Sequence, residues 1–320
     1  MIKLNLIALL MISSFAVQAG TVTLSLNGLD DLGANARYEG WLIVDGGPVS
    51  TGVFSVDGSG VPSQTEFMVD DYASDNASLF VLTIEPYPDA DSAPAATHIL
   101  AGEFSDGVAP ISVGHGAALG DDFSTAAGTF ILAAPSDTGA VGSYKNGIWY
   151  LVPPTPDASL VLPTLPAGWI YEGWVVDTNA GIPTSTGTFS SASGADSDGG
   201  GATAGPGATP PFPGQDFINP LTDLTVAHAA VISVEPVPDN SPMPFTLKPL
   251  VATISDPGEG GISQSLANNA SASNPSGSAS IESGAGSPAQ TKPIPSLGTF
   301  AIILLLLATL FIARRKFIRE

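Results

Sequence analysis

Apolar and polar positions alternate along this chain in short stretches separated by Gly, Pro, Asp and Ser. Thr21 to Leu26 alternates Thr or Ser with Val or Leu, the period-two pattern of a half-buried strand. Trp41 to Val44 predicts a second strand, Asp45-Gly46-Gly47 a hairpin turn, and Val49 to Val56 the return strand. The continuous apolar run Phe80 to Ile84 suits a central strand, and His98 to Phe104 predicts another. Gly128 to Ala134 and Gly147 to Val152 read as strands that join or complete the fold. Gly and Pro fill 64 of 320 positions, which excludes long helices from the body. The expectation is an all-β protein of two related antiparallel β-sandwich (Ig-like) domains, followed by a disordered linker and one C-terminal transmembrane helix.

The two-domain reading rests on a pattern that occurs twice. YEGWLIVDGGPVSTGVF (Tyr38 to Phe54) and FVLTIEPYPD (Phe80 to Asp89) are answered by YEGWVVDTNAGIPTSTGTF (Tyr171 to Phe189) and AVISVEPVPD (Ala230 to Asp239). Repeated elements in the same order point to duplication. The expected divisions are a signal peptide at 1–19, a first sandwich at 20–110, and a second at 111–255 with a Gly/Pro-rich insertion. A disordered Ser/Gly/Ala/Asn/Pro linker at 256–293 and a tail at 294–320 complete the chain.

Charge narrows the classes. The net charge is −21, and between the two terminal segments only Arg37, Lys145, Lys248 and Lys292 are basic. Such a surface repels phosphate backbones, which excludes nucleic acid as a partner. No cysteine is present, so no disulfide or thiolate chemistry is available.

The ends carry the address. Lys3, the apolar stretch Leu6 to Ile12 and Val17-Gln18-Ala19 form a secretory signal with cleavage by signal peptidase before Gly20. Gly298 to Ala313 is apolar and uncharged, roughly 24 Å long as a helix, and Arg314-Arg315-Lys316 follows. The basic cluster belongs in the cytoplasm, which places the body outside. Ile294-Pro295-Ser296-Leu297, the apolar segment, and Arg314, Arg315 and Lys316 together are similar to IPTL-type C-terminal sorting signals, relatives of the PEP-type signals. That resemblance implies recognition by a membrane sorting enzyme, and a simple tail anchor is the rival reading. Gly298-Thr299-Phe300 departs from the acidic residue and Trp common in that family. Either way the chain is expected in the periplasm or on the surface of a bacterium, membrane-anchored by its C-terminus.

The repeated body resembles the extracytoplasmic C-terminal domain of anti-sigma-K-type factors. Tyr38, Trp41, Leu42, Ile43, Pro48, Val49, Ser50, Gly52, Phe54, Thr83, Glu85 and Pro86 carry the likeness. Tyr171, Trp174, Ser185, Gly187, Phe189, Glu235 and Pro236 carry it more loosely. The expected order, with a signal peptide first and the membrane segment last, leaves no place for the cytoplasmic sigma-binding domain that precedes the membrane helix in that family, so sigma sequestration is not carried over.

Candidate chemistry is sparse. His98, His115 and His228 lack the spacing of a zinc helix, and no Gly-x-Ser-x-Gly elbow occurs. Glu39, Glu172, Glu85 and Glu235 recur with the repeat, and a strand-end Glu can accept backbone amides, so catalysis is not assigned to them. Trp41 and Trp174 read as core, and Trp149 and Trp169 stay open between core and a sugar-stacking face. The loop Gly194 to Gly199 places Asp196 and Asp198 at the spacing of an oxygen-ligand loop, with Asp216 as a third candidate. This is a calcium set or an acidic solvated turn. Sequons at Asn76 and Asn269 carry little weight. The functional expectation is no enzyme: a non-catalytic envelope-anchored interaction or structural protein with an unknown protein or glycan ligand. The alternatives are a sensory or regulatory ectodomain acting with a separate signalling chain, and a calcium-dependent carbohydrate or matrix binder.

Overall fold

The computed structural model describes residues 19–138, 143–239 and 241–284. The elements run β1 (Ala19–Asn27), β2 (Ala36–Val44), β3 (Gly47–Phe54), β4 (Glu66–Asp70), α1 (Asp71–Asn76), β5 (Ala77–Pro86), β6 (His98–Glu103) and β7 (Val108–Ser112). Then come β8 (Gly128–Leu132), β9 (Ile148–Trp149), the small hairpin β10 (Leu151–Val152) and β11 (Asp157–Ala158), β12 (Trp169–Asp177) and β13 (Ile182–Phe189). The last are β14 (Gly214–Gln215), β15 (His228–Pro236), β16 (Leu250–Thr253), β17 (Ser263–Asn268), α2 (Ala270–Ser273) and β18 (Ser276–Glu282). The hairpin β2–β3 turns on Asp45 and Gly46, both at positive φ (51° and 81°), the geometry that keeps a two-residue loop in step with strand twist.

The all-β expectation holds, and the sandwich is corrected. Each half is one continuous eight-stranded sheet rolled towards closure, in place of two stacked sheets. The orders are β3-β2-β5-β6-β7-β18-β1-β4 and β13-β12-β15-β16-β17-β8-β9-β14. In the first barrel the end strands approach each other: Phe54 of β3 and Phe67 of β4 have ring centroids 5.9 Å apart, and Gly52 leaves room for Phe67. The interior is filled by alternate strand positions, among them Val22, Leu24, Tyr38, Leu42, Phe80, Leu82 and Leu100.

Position by position the two orders correspond: β3 to β13, β2 to β12, β5 to β15, β6 to β16, β7 to β17, β1 to β9 and β4 to β14. The remaining place, between the seventh and first strands, is filled crosswise. β8 follows β7 in the chain but pairs with β17 and β9 of the second barrel. β18 follows β17 but pairs with β7 and β1 of the first. Gly128 of β8 sits opposite buried Leu266, and Gly277 of β18 sits opposite buried Ile111, so the two strands enter their slots in like register. The halves have exchanged their eighth strands.

The crossing segments, 113–127 and 269–275, are clasped by side-chain amides. Asn268 Nδ2 donates to the carbonyls of Phe123 (2.8 Å) and Ala126 (2.9 Å), and Asn274 Nδ2 donates to that of Asp122 (2.7 Å).

This topology corrects the expected boundaries. The first barrel takes 19–112 together with 276–282, and the second takes 128–268. The linker expected from residue 256 contains β17, α2 and β18 instead. These segments bury only Leu266, Ala270 and Ala279 among hydrophobic side chains, so their composition reads as linker. Backbone pairing on both sides orders them regardless. Asp256 is fixed as well, by Lys145 Nζ at 2.5 Å and Tyr144 OH at 2.9 Å. The signal peptide, the sorting signal (Ile294 to Leu297 and Arg314 to Lys316) and the segment 298–313 lie outside the described residues. Among the described residues no helix is long and apolar enough to cross a membrane.

Candidate functional site: a buried carboxylate network in each barrel

The residues singled out by the repeat converge in space. On β2, Trp41 donates its indole N–H to Thr83 Oγ1 on β5 at 2.9 Å. Thr83 Oγ1 donates in turn to Glu85 Oε1, two residues along the same strand and therefore on the same face. Glu85 also accepts the backbone N–H of Ala95, 2.9 Å from Oε1, from the loop before β6. Glu39, opposite Thr83 on β2, accepts a hydrogen bond from Ser50 Oγ on β3.

The second barrel repeats this arrangement. Trp174 Nε1 donates to Ser233 Oγ at 2.8 Å, Ser233 Oγ donates to Glu235 Oε1, and the Phe245 N–H reaches the same oxygen at 2.9 Å. Ser185 Oγ donates to Glu172 Oε1. Tyr38 and Phe54 stack at 5.6 Å between centroids, as do Tyr171 and Phe189, and each tyrosine hydroxyl bonds a carbonyl eight residues upstream (Asp30 and Pro163).

The barrels differ in how fully their acids are partnered. Glu172 and Glu235 are 5% and 0% exposed, and each has one buried oxygen, Oε2, without a hydrogen bond. Burial, with Asp239 and Asp198 as like-charged neighbours, pushes Glu172 up to about 7. Glu235 is also pushed up to about 7 by burial, with Asp239 and Glu172 adding to the shift. In the first barrel Glu39 is raised by burial, with Glu85 and Asp89 as the nearby charges.

Asp196 and Asp198 lie together against Gly187 (φ 101°), where a Cβ would come within 2.6 Å of Asp198 Oδ1. Asp196 Oδ2 accepts the Gly214 N–H at 2.7 Å, and burial beside Asp198 raises its pKa. Asp216 is fully buried and its carboxylate is engaged elsewhere, by Trp149 Nε1 (2.6 Å) and the Ser136 N–H (2.7 Å). The expected three-aspartate set is therefore not brought together. Among the described residues no three His, Cys, Asp or Glu side chains are grouped so as to hold a metal ion.

His98 Nδ1 lies 2.9 Å from Ala117 O, His115 Nδ1 accepts the Ala117 N–H at 3.1 Å, and His228 Nδ1 lies 2.6 Å from Val226 O. Each holds a nearby loop. All four tryptophans are buried, Trp169 in the main core and Trp41 and Trp149 in two smaller apolar clusters apart from it, so none presents an exposed ring face. Sequence reasoning missed Asp239 and Asp89 as neighbours of the buried glutamates. The signal was present, since both follow the repeated Glu-Pro by the same number of residues.

The family described as anti-sigma-K factor rskA, C-terminal, matches residues 10–99, which takes in β1 to β5 of the first barrel and stops at the start of β6. No curated protein and no solved structure matches the chain. The likeness to the anti-sigma-K C-terminal domain therefore covers the first barrel's opening strands, including Trp41, Thr83 and Glu85.

Proposed function

We propose that this chain is a non-catalytic interaction or structural module, exported and held at a bacterial envelope by its C-terminal tail. In this reading it arose by duplication of one β-domain, it carries a signal peptide at 1–19, and its tail is a sorting signal centred on Ile294 to Leu297 and Arg314 to Lys316. The observation that carries the non-catalytic reading is the use of the recurring glutamates. Glu85 and Glu235 bind a strand hydroxyl and a loop amide in both barrels, which ties loops to strands. A residue doing the same structural job twice is accounted for without a reaction.

The test is placement on the cell. An epitope in the exposed 57–60 turn is assayed on intact cells and in membrane fractions, with protease added from outside. Membrane association is expected, with cleavage of the body either on intact cells or as soon as an outer membrane is permeabilised. A body that stays protected until the cytoplasmic membrane is lysed would contradict the reading.

A second reading, a regulatory ectodomain acting with a separate signalling chain, is favoured by one observation, the match of residues 10–99 to the anti-sigma-K C-terminal domain. Crosslinking in intact cells separates the two. Capture of a membrane signalling protein supports regulation, and capture of surface components alone supports the structural role.

A further inference from the structure

The exchanged strands differ in how they are held. β8 buries Phe130, Ile131 and Leu132. β18 reads Ser-Gly-Ser-Ala-Ser-Ile-Glu and buries one side chain fully, Ala279. What chiefly holds β18 is backbone pairing, with β1 from Thr21 to Asn27 on one side and with β7 from Val108 to Ser112 on the other, and Ile281 adds a half-buried contact to the core. Backbone pairing does not read side chains, so the slot between β1 and β7 recognises an extended small-residue strand and not a particular chain.

Two features shape that slot. Gly277 lies so close to β1 that a Cβ there would fall 2.2 Å from Ser25 O, so the occupant needs glycine at that point. The inner face needs a small apolar residue opposite Leu24, and Ala279 supplies it. The chain itself provides one strand with that pattern, and every copy of the chain carries it.

The hinge is short and polar. Seven residues, 269–275, connect β17 to β18, and four of them form α2. Unwinding α2 to extended chain adds about 7 Å of reach. Opening the crossing breaks hydrogen bonds such as Asn274 Nδ2 to Asp122 O and Ser273 Oγ to Lys248 O, which water replaces at modest cost.

We propose that the β1–β7 slot is an interaction site whose second occupant is β18 of another copy of this chain. The exchange already made between the two halves is then made between chains, and it joins neighbouring copies strand to strand. The inference rests on topology and strand composition, independently of the proposed location on the cell.

The absence of cysteine makes the test clean. Ser25 and Ser278 are register partners on the outer face of the β1–β18 pair. Full-length S25C and S278C chains are prepared separately, mixed, taken through partial denaturation and return, and oxidised. A disulfide joining one of each forms efficiently only when β18 of one copy lies against β1 of another. Paired thiols meet at millimolar effective concentration, against micromolar for collision, so a mixed dimer on the order of a hundredfold above a mismatched S63C and S278C mixture is expected. A mixed dimer no more abundant than the mismatched control overturns the proposal. T23C with S280C, the next outward-facing register pair, repeats the reading if either first variant folds poorly.

Discussion

Trp41 donates its indole N–H to Thr83 Oγ1 across the β2–β5 pair at 2.9 Å, and Trp174 makes the same bond to Ser233 at 2.8 Å. Each hydroxyl passes its own hydrogen to a buried glutamate, and each glutamate holds a loop by its amide. A tryptophan, a hydroxyl residue and a carboxylate thereby form one unit that fixes the loop after the fifth strand of each barrel.

Breaking that unit costs stability by leaving buried polar groups unpaired. E85A and E235A should each destabilise the fold by about 2–3 kcal/mol, and E235Q by less, because the amide carbonyl still accepts the Phe245 N–H. Chemical denaturation followed by tryptophan fluorescence measures this. Equal, near-zero effects for Ala and Gln would show that the network contributes nothing to stability.

The raised glutamates set the pH dependence. Glu172 and Glu235 are pushed up to about 7 in the folded state from an ordinary value of 4.5. Between those values the folded protein holds protons that the unfolded chain has lost, so stability falls as pH rises from about 4.5 to 7 and then levels off. The melting temperature should therefore be higher at pH 5 than at pH 7.5, and E172Q/E235Q should flatten that slope. Scans of both proteins across this range, at fixed ionic strength, check the sign. A wild-type slope of opposite sign, or one unchanged in the double variant, would count against the assignment.

Close packing between neighbouring strands predicts two sensitive glycines. A Cβ at Gly102 would meet Pro110 O at 1.9 Å, and one at Gly277 would meet Ser25 O at 2.2 Å. G102A and G277A should cost upwards of about 2 kcal/mol, whereas G46S, in open space, keeps its neighbours and suffers only from its positive φ. Thermal melts of the three variants rank them.

Asp216 tests the calcium expectation. Its carboxylate bonds Trp149 and the Ser136 amide, so D216A should destabilise the second barrel by about 2–3 kcal/mol in chelator and in calcium alike. A loss seen only with calcium present would return Asp216 to a ligand role.

Much of this fold is legible in the sequence where side chains mark it. Tyr38-x-x-Trp41 and Thr83-x-Glu85, with their second copies, announce paired strands because bulky apolar residues recur at fixed places. β18 is hard to read in the sequence, because the inward positions Gly277, Ala279 and Ile281 alternate with polar residues but include only one large apolar side chain, and its order comes from partners more than 150 residues away in sequence. Alternation also says nothing about which barrel a strand completes, so β8 reads as a joining strand without revealing that β18 answers it. At the candidate site the recurring glutamates are visible, but the burial of the unpartnered Oε2 atoms of Glu172 and Glu235 and the approach of Asp239 to both arise only when β12, β15 and the loop after β15 are folded together.

Closure of the first barrel by a strand from the far end of the body is the feature on which the topology turns. Disulfide formation in the double variant S25C/S278C, purified as a monomer and oxidised at low concentration, reads it without intermediary. Near-complete formation of one intrachain disulfide is expected, with a raised melting temperature that falls back on reduction. Two free thiols in a folded monomer would contradict that closure and leave the β1–β7 slot without its eighth strand.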